Sequence, residues 1–249
     1  LGQSSEADAV AEFRAARTRV LGNIADACRR SGRDPGDVAL VAVSKTVAVQ
    51  RLEAAVAAGL TVLGENRVQE AEAKSPLLPG ASWHLIGPLQ SNKARRAVEL
   101  FDVIESVESI DLARRLDRLS VEFGRDGSPG GRGRLGVYLQ VNVDRDKAKS
   151  GFLPEELEAE LPTLADLHNL RLLGLMTIGR QVGPAEEARS TFARLRALSE
   201  RLRSRVGGLE AGLSMGMSAD YPIAIEEGAT VVRVGRALFG ERKAGALGR

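Results

Sequence analysis

Cysteine is almost absent from this chain. The single residue, Cys28, excludes an intramolecular disulfide framework and any zinc site built on several thiolates. Histidine is nearly as scarce, and His84 and His168 alone cannot supply a three-histidine metal centre. No apolar run nears the roughly 20 residues that cross a bilayer. Residues 1–8 lack the basic and apolar regions of a signal peptide. An excess of one charge is missing too: 35 Lys+Arg against 33 Asp+Glu leave +2 over 249 residues, too weak a field to gather nucleic acid or an anionic membrane. These absences fit a reducing, cytoplasmic setting. The sequence starts at Leu1, not at a Met, so the natural start is expected to lie elsewhere.

What remains is an ordinary globular balance, 43% hydrophobic and 27% charged, which argues against a disordered chain. Ser5 with Asp8 three residues on resembles a capping box. Val10, Phe13, Ala16, Val20, Ile24 and Ala27 then recur at three- and four-residue spacing. This predicts a helix over about residues 6–30, stopped by Ser31-Gly32-Arg33-Asp34-Pro35-Gly36. Arg14, Arg17, Arg19, Arg29 and Arg30 fall largely off the apolar stripe, as a solvated face.

Beyond the helix, apolar segments at 38–44, 61–64, 83–87, 101–105, 135–143, 170–178, 208–214 and 230–235 alternate with amphipathic patterns such as Phe192, Leu195, Leu198, Leu202 and Val206. The segments are too continuous for a half-exposed antiparallel sheet. Eight such repeats predict an α/β fold, a parallel sheet closed into a single (β/α)8 TIM-type barrel over about residues 37–240, in a chain read as one domain, 1–249. An open doubly wound sheet is the alternative, but no Gly-x-Gly-x-x-Gly follows the first strand. The Gly- and Arg-rich stretch 124–134 precedes the fifth strand, so it is read as a surface insertion on the face away from the chemistry.

In such a barrel the working residues sit at the C-terminal ends of the strands. The first strand ends Val43-Ser44-Lys45-Thr46. A lysine closing a buried apolar strand is costly to ionise, which favours a neutral amine able to attack an aldehyde and form a Schiff base. The plainer reading is a lysine that snorkels to the rim or pairs with Glu65. The seventh strand runs into Ser214-Met215-Gly216-Met217-Ser218, whose backbone N–H groups can point at an anion ahead of a helix beginning near Ser218. Simple loop geometry is the alternative. Gly235 offers a further N–H with no side chain to obstruct approach. Amine and anion site together fit a ligand with an aldehyde and a phosphate, either pyridoxal 5′-phosphate or a triose phosphate. Arg233 shares a side of the last strand with Gly235. It is a donor to the phosphate or to a ring nitrogen, or else the partner of a carboxylate such as Glu65.

These residues sit in blocks that resemble the pyridoxal phosphate homeostasis protein family (PROSC/YggS type). The blocks are 41–46, Gly64-Glu65-Asn66-Arg67-Val68-Gln69-Glu70, 83–93, Lys149-Ser150-Gly151-Phe152, 174–179, 213–220, 224–230 and 232–235. They keep their order and cover most of the chain from about residue 38 to 240. The resemblance implies a barrel like the N-terminal domain of alanine racemase, with pyridoxal 5′-phosphate as cofactor, held as a Schiff base on Lys45. It implies Ser214, Ser218 and Gly235 around the phosphate, with Met215 and neighbouring amides. Arg233 would face the pyridine nitrogen, and Asn66, His84 and Met176 would line the ring. On its own, His84 reads as a packed strand residue. The chain departs from the family at Val47-Ala48, often Lys-Pro, at Pro88, usually His, and at Arg236, commonly a small residue. Asp144-Arg145-Asp146-Lys147 varies the loop before Lys149. Pro88 and Arg236 are expected to alter the mouth and ligand release.

Enzymes that use this cofactor as an electron sink usually keep its ring nitrogen protonated beside a carboxylate. Arg233 keeps its own proton and is expected to leave that nitrogen unprotonated. A racemase tolerates this but needs an acid or base on each face of Cα. Alanine racemase takes one from a tyrosine of another domain and subunit; no such domain is read here, and Tyr138 and Tyr221 lie in or beside barrel segments. The expectation is therefore a non-catalytic protein that stores, buffers or delivers pyridoxal phosphate. Its partners would be the small molecule and the apo-enzymes that use it, with no nucleic acid and no membrane. Charged outer helices favour a monomer. The alternatives are a weak cofactor-dependent amino-acid racemase and a Schiff-base aldolase acting on sugar phosphates. Arg189, Arg194, Arg196, Arg201, Arg203 and Arg205 read as a solvated helix face, or else as a partner patch.

Overall fold

Short runs of Val, Leu and Ala, apolar on both faces, become strands that are buried on both faces. A computed structural model describes residues 2–179 and 184–240. The strands are β1 (Ala39–Val43), β2 (Val62–Glu65), β3 (Ser82–Leu85), β4 (Val103–Val107), β5 (Leu135–Gln140), β6 (Leu170–Met176), β7 (Leu209–Met217) and β8 (Val231–Val234). Each pairs in parallel with its sequence neighbours, and β8 closes on β1 with Val41 opposite Arg233, so the sheet is a closed barrel. Helix α1 (Gly2–Ser31) precedes β1. The helices α2 (Val49–Ala57), α3 (Val68–Lys74), α4 (Ala94–Leu100), α5 (Ile110–Glu122), α6 (Pro154–Ala165), α7 (Arg189–Arg203), α8 (Tyr221–Glu226) and α9 (Arg236–Phe239) follow the eight strands in turn.

Two apolar layers result. Val41, Ile86, Tyr138, Met176 and Val231 fill the barrel interior, with Val43, Val62, Val103 and Leu173 packed on them. Ala42, Leu63, Leu85, Ile104 and Met215 face outward beneath the helices. Helix α1 lies against α2, α8 and α9 and buries Phe13, Val20, Ile24, Ala27 and Cys28 completely or nearly so. Full burial of a side chain such as Phe13 contributes about 2–3 kcal/mol. No helix among the described residues is long and apolar enough to cross a membrane, and no group of side chains there could hold a metal ion.

All eight expected segments form strands, but two boundaries move. Helix α1 begins at Gly2, so Ser5 lies within its backbone instead of capping it. Strand β7 runs on through Met217, and the next helix starts at Tyr221, not near Ser218. Gly216, at φ +93, with a register shift between Ser214 and Met217, lets the strand bend while still paired. Met217 N–H then donates to Asp220 Oδ1 at 2.7 Å, closing the turn before α8. The 124–134 stretch is pinned by buried Arg125, which donates to Phe101 O at 2.7 Å, just ahead of β4 and so at the end opposite the strand C-termini.

Candidate functional site

β3, β4, β7 and β8 each place a polar side chain in the barrel interior, and the four meet. His84 Nδ1 lies 2.7 Å from Glu105 Oε1. Ser214 Oγ donates to Glu105 Oε2 at 2.5 Å. Arg233 donates through Nη1 to Ser214 Oγ and through Nη2 to Thr177 O at 2.8 Å, and it stands 3.7 Å from Glu105 Oε2. Glu105 and Ser214 are fully buried and Arg233 nearly so. Charges in such a site persist only with partners. Burial pushes the Glu105 carboxyl up, but the hydrogen bond and charge of His84, the Arg233 charge and the Ser214 hydroxyl outweigh it and hold it below its ordinary value. Burial draws Arg233 down, against Glu105 and Asp220, yet a guanidinium stays charged in proteins. An ionised carboxylate only accepts, so His84 Nδ1 is the donor, and Nε2 is the ring nitrogen left for other contacts.

The carboxylate beside Arg233 is therefore Glu105 and not Glu65. Glu65 is an odd number of residues from the interior positions Val62 and Gly64, so it faces outward beneath α3. There it accepts from Ser44 Oγ and Lys74 Nζ, each at 2.7 Å. Burial pushes Glu65 up to about 6, against the opposing pull of Lys74 and Ser44. A carboxyl raised in the fold above its unfolded value of 4.5 holds its proton more tightly when folded, so stability falls as pH rises from about 4.5 through 6. Glu65→Gln is expected to remove this loss, on the order of 2 kcal/mol. Denaturant melts at pH 4.5 and pH 7 check it: the advantage of the variant over the parent should grow with pH.

At the mouth, Lys45 follows β1, half-buried, two residues beyond the inward-facing Val43. Asn66 follows β2, half-buried and on the parity of Val62 and Gly64. Its backbone is so close to Gly87 that a Cβ there would collide with Asn66 O. Met176 closes β6, fully buried in the interior cluster. Met215 packs outward in the outer core, so only its backbone is turned to the barrel. Ser218 Oγ accepts the Gly235 N–H at 3.1 Å and the Ala237 N–H at 3.4 Å. An oxygen that accepts two N–H groups keeps its own proton to donate. Gly235 also lies against β1: a Cβ there would sit 3.4 Å from Val43 Cβ.

The structure thus gathers His84, Ser214 and Arg233 in one network and Ser218 and Gly235 in another, with Lys45, Asn66 and Met176 around the same interior. Glu105, the centre of the first network, is absent from the residues expected from sequence. Its signal is the one that marks Lys45, a charged residue at the end of an apolar run, here 101–105. A cleft of about 170 Å³ opens beside the mouth between Pro88, Gln140, Asn142, Lys149 and Ile178. Exposed Arg236 is the first residue of α9.

Both tyrosine hydroxyls lie away from the mouth. Tyr138 bonds Thr230, which precedes β8, and burial pushes its phenol up to about 12. Tyr221 accepts from Asn23 Nδ2 of α1 at 2.8 Å. Five of the six arginines named between 189 and 205 are matched by acids: Arg189 by Glu186, Glu226 and Glu227, Arg194 by Asp144, Arg196 by Glu227, and Arg201 and Arg205 by Glu158.

Comparison with known proteins agrees with this architecture. Residues 18–243 match the family model of the alanine racemase N-terminal domain. The pyridoxal phosphate homeostasis protein of Pseudomonas aeruginosa is 44% identical over 230 residues, 92% of this chain and 95% of that one. PipY of Synechococcus elongatus, solved with pyridoxal phosphate bound, is 44% identical, with a TM-score of 0.76 over 87% of this chain and all of PipY. Alanine racemase of Clostridium difficile, 16% identical, shares the barrel with a TM-score of 0.70 over 92% of this chain and 57% of that one. The chain belongs to the alanine racemase N-terminal domain family and, within it, to the pyridoxal phosphate homeostasis proteins.

Proposed function

We propose that this chain, as one barrel unit and a monomer, holds pyridoxal 5′-phosphate in the cytoplasm and stores it, buffers it or delivers it to apo-enzymes. The observation that carries this reading is that β1 pairs with β8, so Lys45, just past the end of β1, lies at the same end of the barrel as the cluster in which Gly235 and Ala237, just past β8, meet Ser218, just past β7. Two amides and one hydroxyl proton suit a phosphate. Lys45 supplies the amine. When bound, the cofactor offers an aldehyde that a neutral amine holds through a C=N bond with loss of one water, a link that water can undo. Asn66, His84 and Met176 would flank the ring. Ser214 acts by keeping Glu105 and Arg233 in place, and Arg233 would meet the ring nitrogen with a permanent cation, which would weaken carbanion chemistry.

The tyrosines support a holder over a racemase, since neither hydroxyl reaches the mouth to serve the second face of a substrate carbon. No residue is assigned a catalytic role. The test is a visible spectrum of the protein incubated with pyridoxal phosphate, before and after borohydride, followed by peptide mass mapping. A yellow band that bleaches to a pyridoxyl adduct on Lys45 is expected. A protein that retains no cofactor through gel filtration overturns the reading. Racemisation of alanine or serine by the loaded protein, lost in Lys45→Ala, would establish the racemase instead.

A further inference from the structure

We infer that Glu70 and Lys74 of α3, with Glu65 of β2, are positioning residues for Lys45: from outside the barrel they hold the strained turn that presents its amine. The inference rests on the reading of Lys45 given above.

Ser44, Lys45, Thr46 and Val47 form a β-turn closed by Val47 N–H donating to Ser44 O at 3.0 Å. Lys45 is its second residue and Thr46 its third. Thr46 has φ +64. A positive φ at the third position is the type II signature and normally takes Gly or Asn. For a β-branched residue it is an outlier, and such conformations persist only where the surroundings over-determine them. Here they do. Ser44 Oγ donates to Glu65 Oε1 at 2.7 Å, and Ser44 O accepts a second bond, from Lys74 Nζ, at 3.0 Å. Thr46 N–H donates to Glu70 Oε2 at 3.0 Å. Lys74 Nζ ties the two acids together, 2.7 Å from Glu65 and 3.6 Å from Glu70. Both chain neighbours of Lys45 are therefore gripped by side chains of the outer layer.

The clamp acts on the amine and not on the phosphate donors, which lie on the loops after β7 and β8. Two probes separate these roles. Pyridoxal 5′-phosphate needs the amine, whereas pyridoxine 5′-phosphate, with an alcohol in place of the aldehyde, does not. Glu70→Ala is expected to slow borohydride-trapped labelling of Lys45 about tenfold and to leave pyridoxine phosphate affinity within about twofold. Glu70→Gln, which keeps a carbonyl acceptor for Thr46 N–H, should label nearly as the parent does. Thr46→Gly, added to Glu70→Ala, should recover labelling, because glycine adopts the positive φ without strain. An equal loss of both ligands, an unaltered labelling rate in Glu70→Ala, or no recovery with Thr46→Gly overturns the clamp alone. A parent protein that labels elsewhere than Lys45 overturns the functional reading, and the clamp with it.

Discussion

Glu105→Ala is expected to destabilise the fold by about 3–5 kcal/mol, because it leaves Arg233 charged, buried and without its anion. In a chain of this size that lowers the thermal midpoint by roughly 10 °C. Ser214 loses its acceptor in the same step. The combination of Glu105→Ala with Arg233→Met should melt above Glu105→Ala alone, since the charge that required a partner is gone. A single variant that melts within a degree or two of the parent would show that the anion does not hold this interior together. Acid works in the same direction as the substitution. The folded carboxyl lies below its ordinary value of 4.5, so its stabilisation is complete above that pH and is lost as pH falls through the folded value. The gap between parent and variant should narrow accordingly in acid.

Lys45→Ala is the second large effect, on the ligand instead of the fold. It removes a half-buried side chain at the end of β1 and leaves the Ser218, Gly235 and Ala237 donors as they are. The variant should keep weak binding of pyridoxal phosphate through the phosphate donors, lose it on gel filtration and give no borohydride adduct. A weakening of about a hundredfold, ~2.7 kcal/mol, is the expected scale. Retention equal to that of the parent would mean that the covalent link lies elsewhere or is not formed. Lys45→Arg separates charge from chemistry, because a guanidinium restores the cation and cannot form the link.

The barrel was legible in the sequence because strands buried on both faces read as continuous apolar runs, and eight of them stand out between helical patterns. The same property hides which face is the interior. Nothing in Val62-Leu63-Gly64-Glu65-Asn66 says that Gly64 points inward and Glu65 outward, so by sequence Glu65 is as plausible a partner for Arg233 as any acid. The pairing of β2 with β1 and β3 is what fixes the parity. Bends were hidden for a related reason. Ser214–Gly216 reads as a loop by composition, yet the strand pairs through it because the glycine takes a positive φ. Glu105 is masked by the apolar residues of 101–105 that mark the strand, although an acid at the end of that run carries the same desolvation argument as Lys45. The turn that holds Lys45 depends on α3, some 25 residues further along the chain, and no local pattern around Ser44–Val47 announces it.

Ser218 gives the site a spare acceptor of its own. Its hydroxyl oxygen lies within hydrogen-bond reach of the Gly235 and Ala237 amides and can accept from both when an anion leaves. In a pocket without such a stand-in, a departing anion strands two donors, and each orphan costs about 1–3 kcal/mol that acts as a brake on exit. Here the brake is largely absent. Arrival exchanges a neutral acceptor for a charged one, and departure reverses the exchange. For a holder of the kind proposed, the oxygen of one serine favours a lender over an owner.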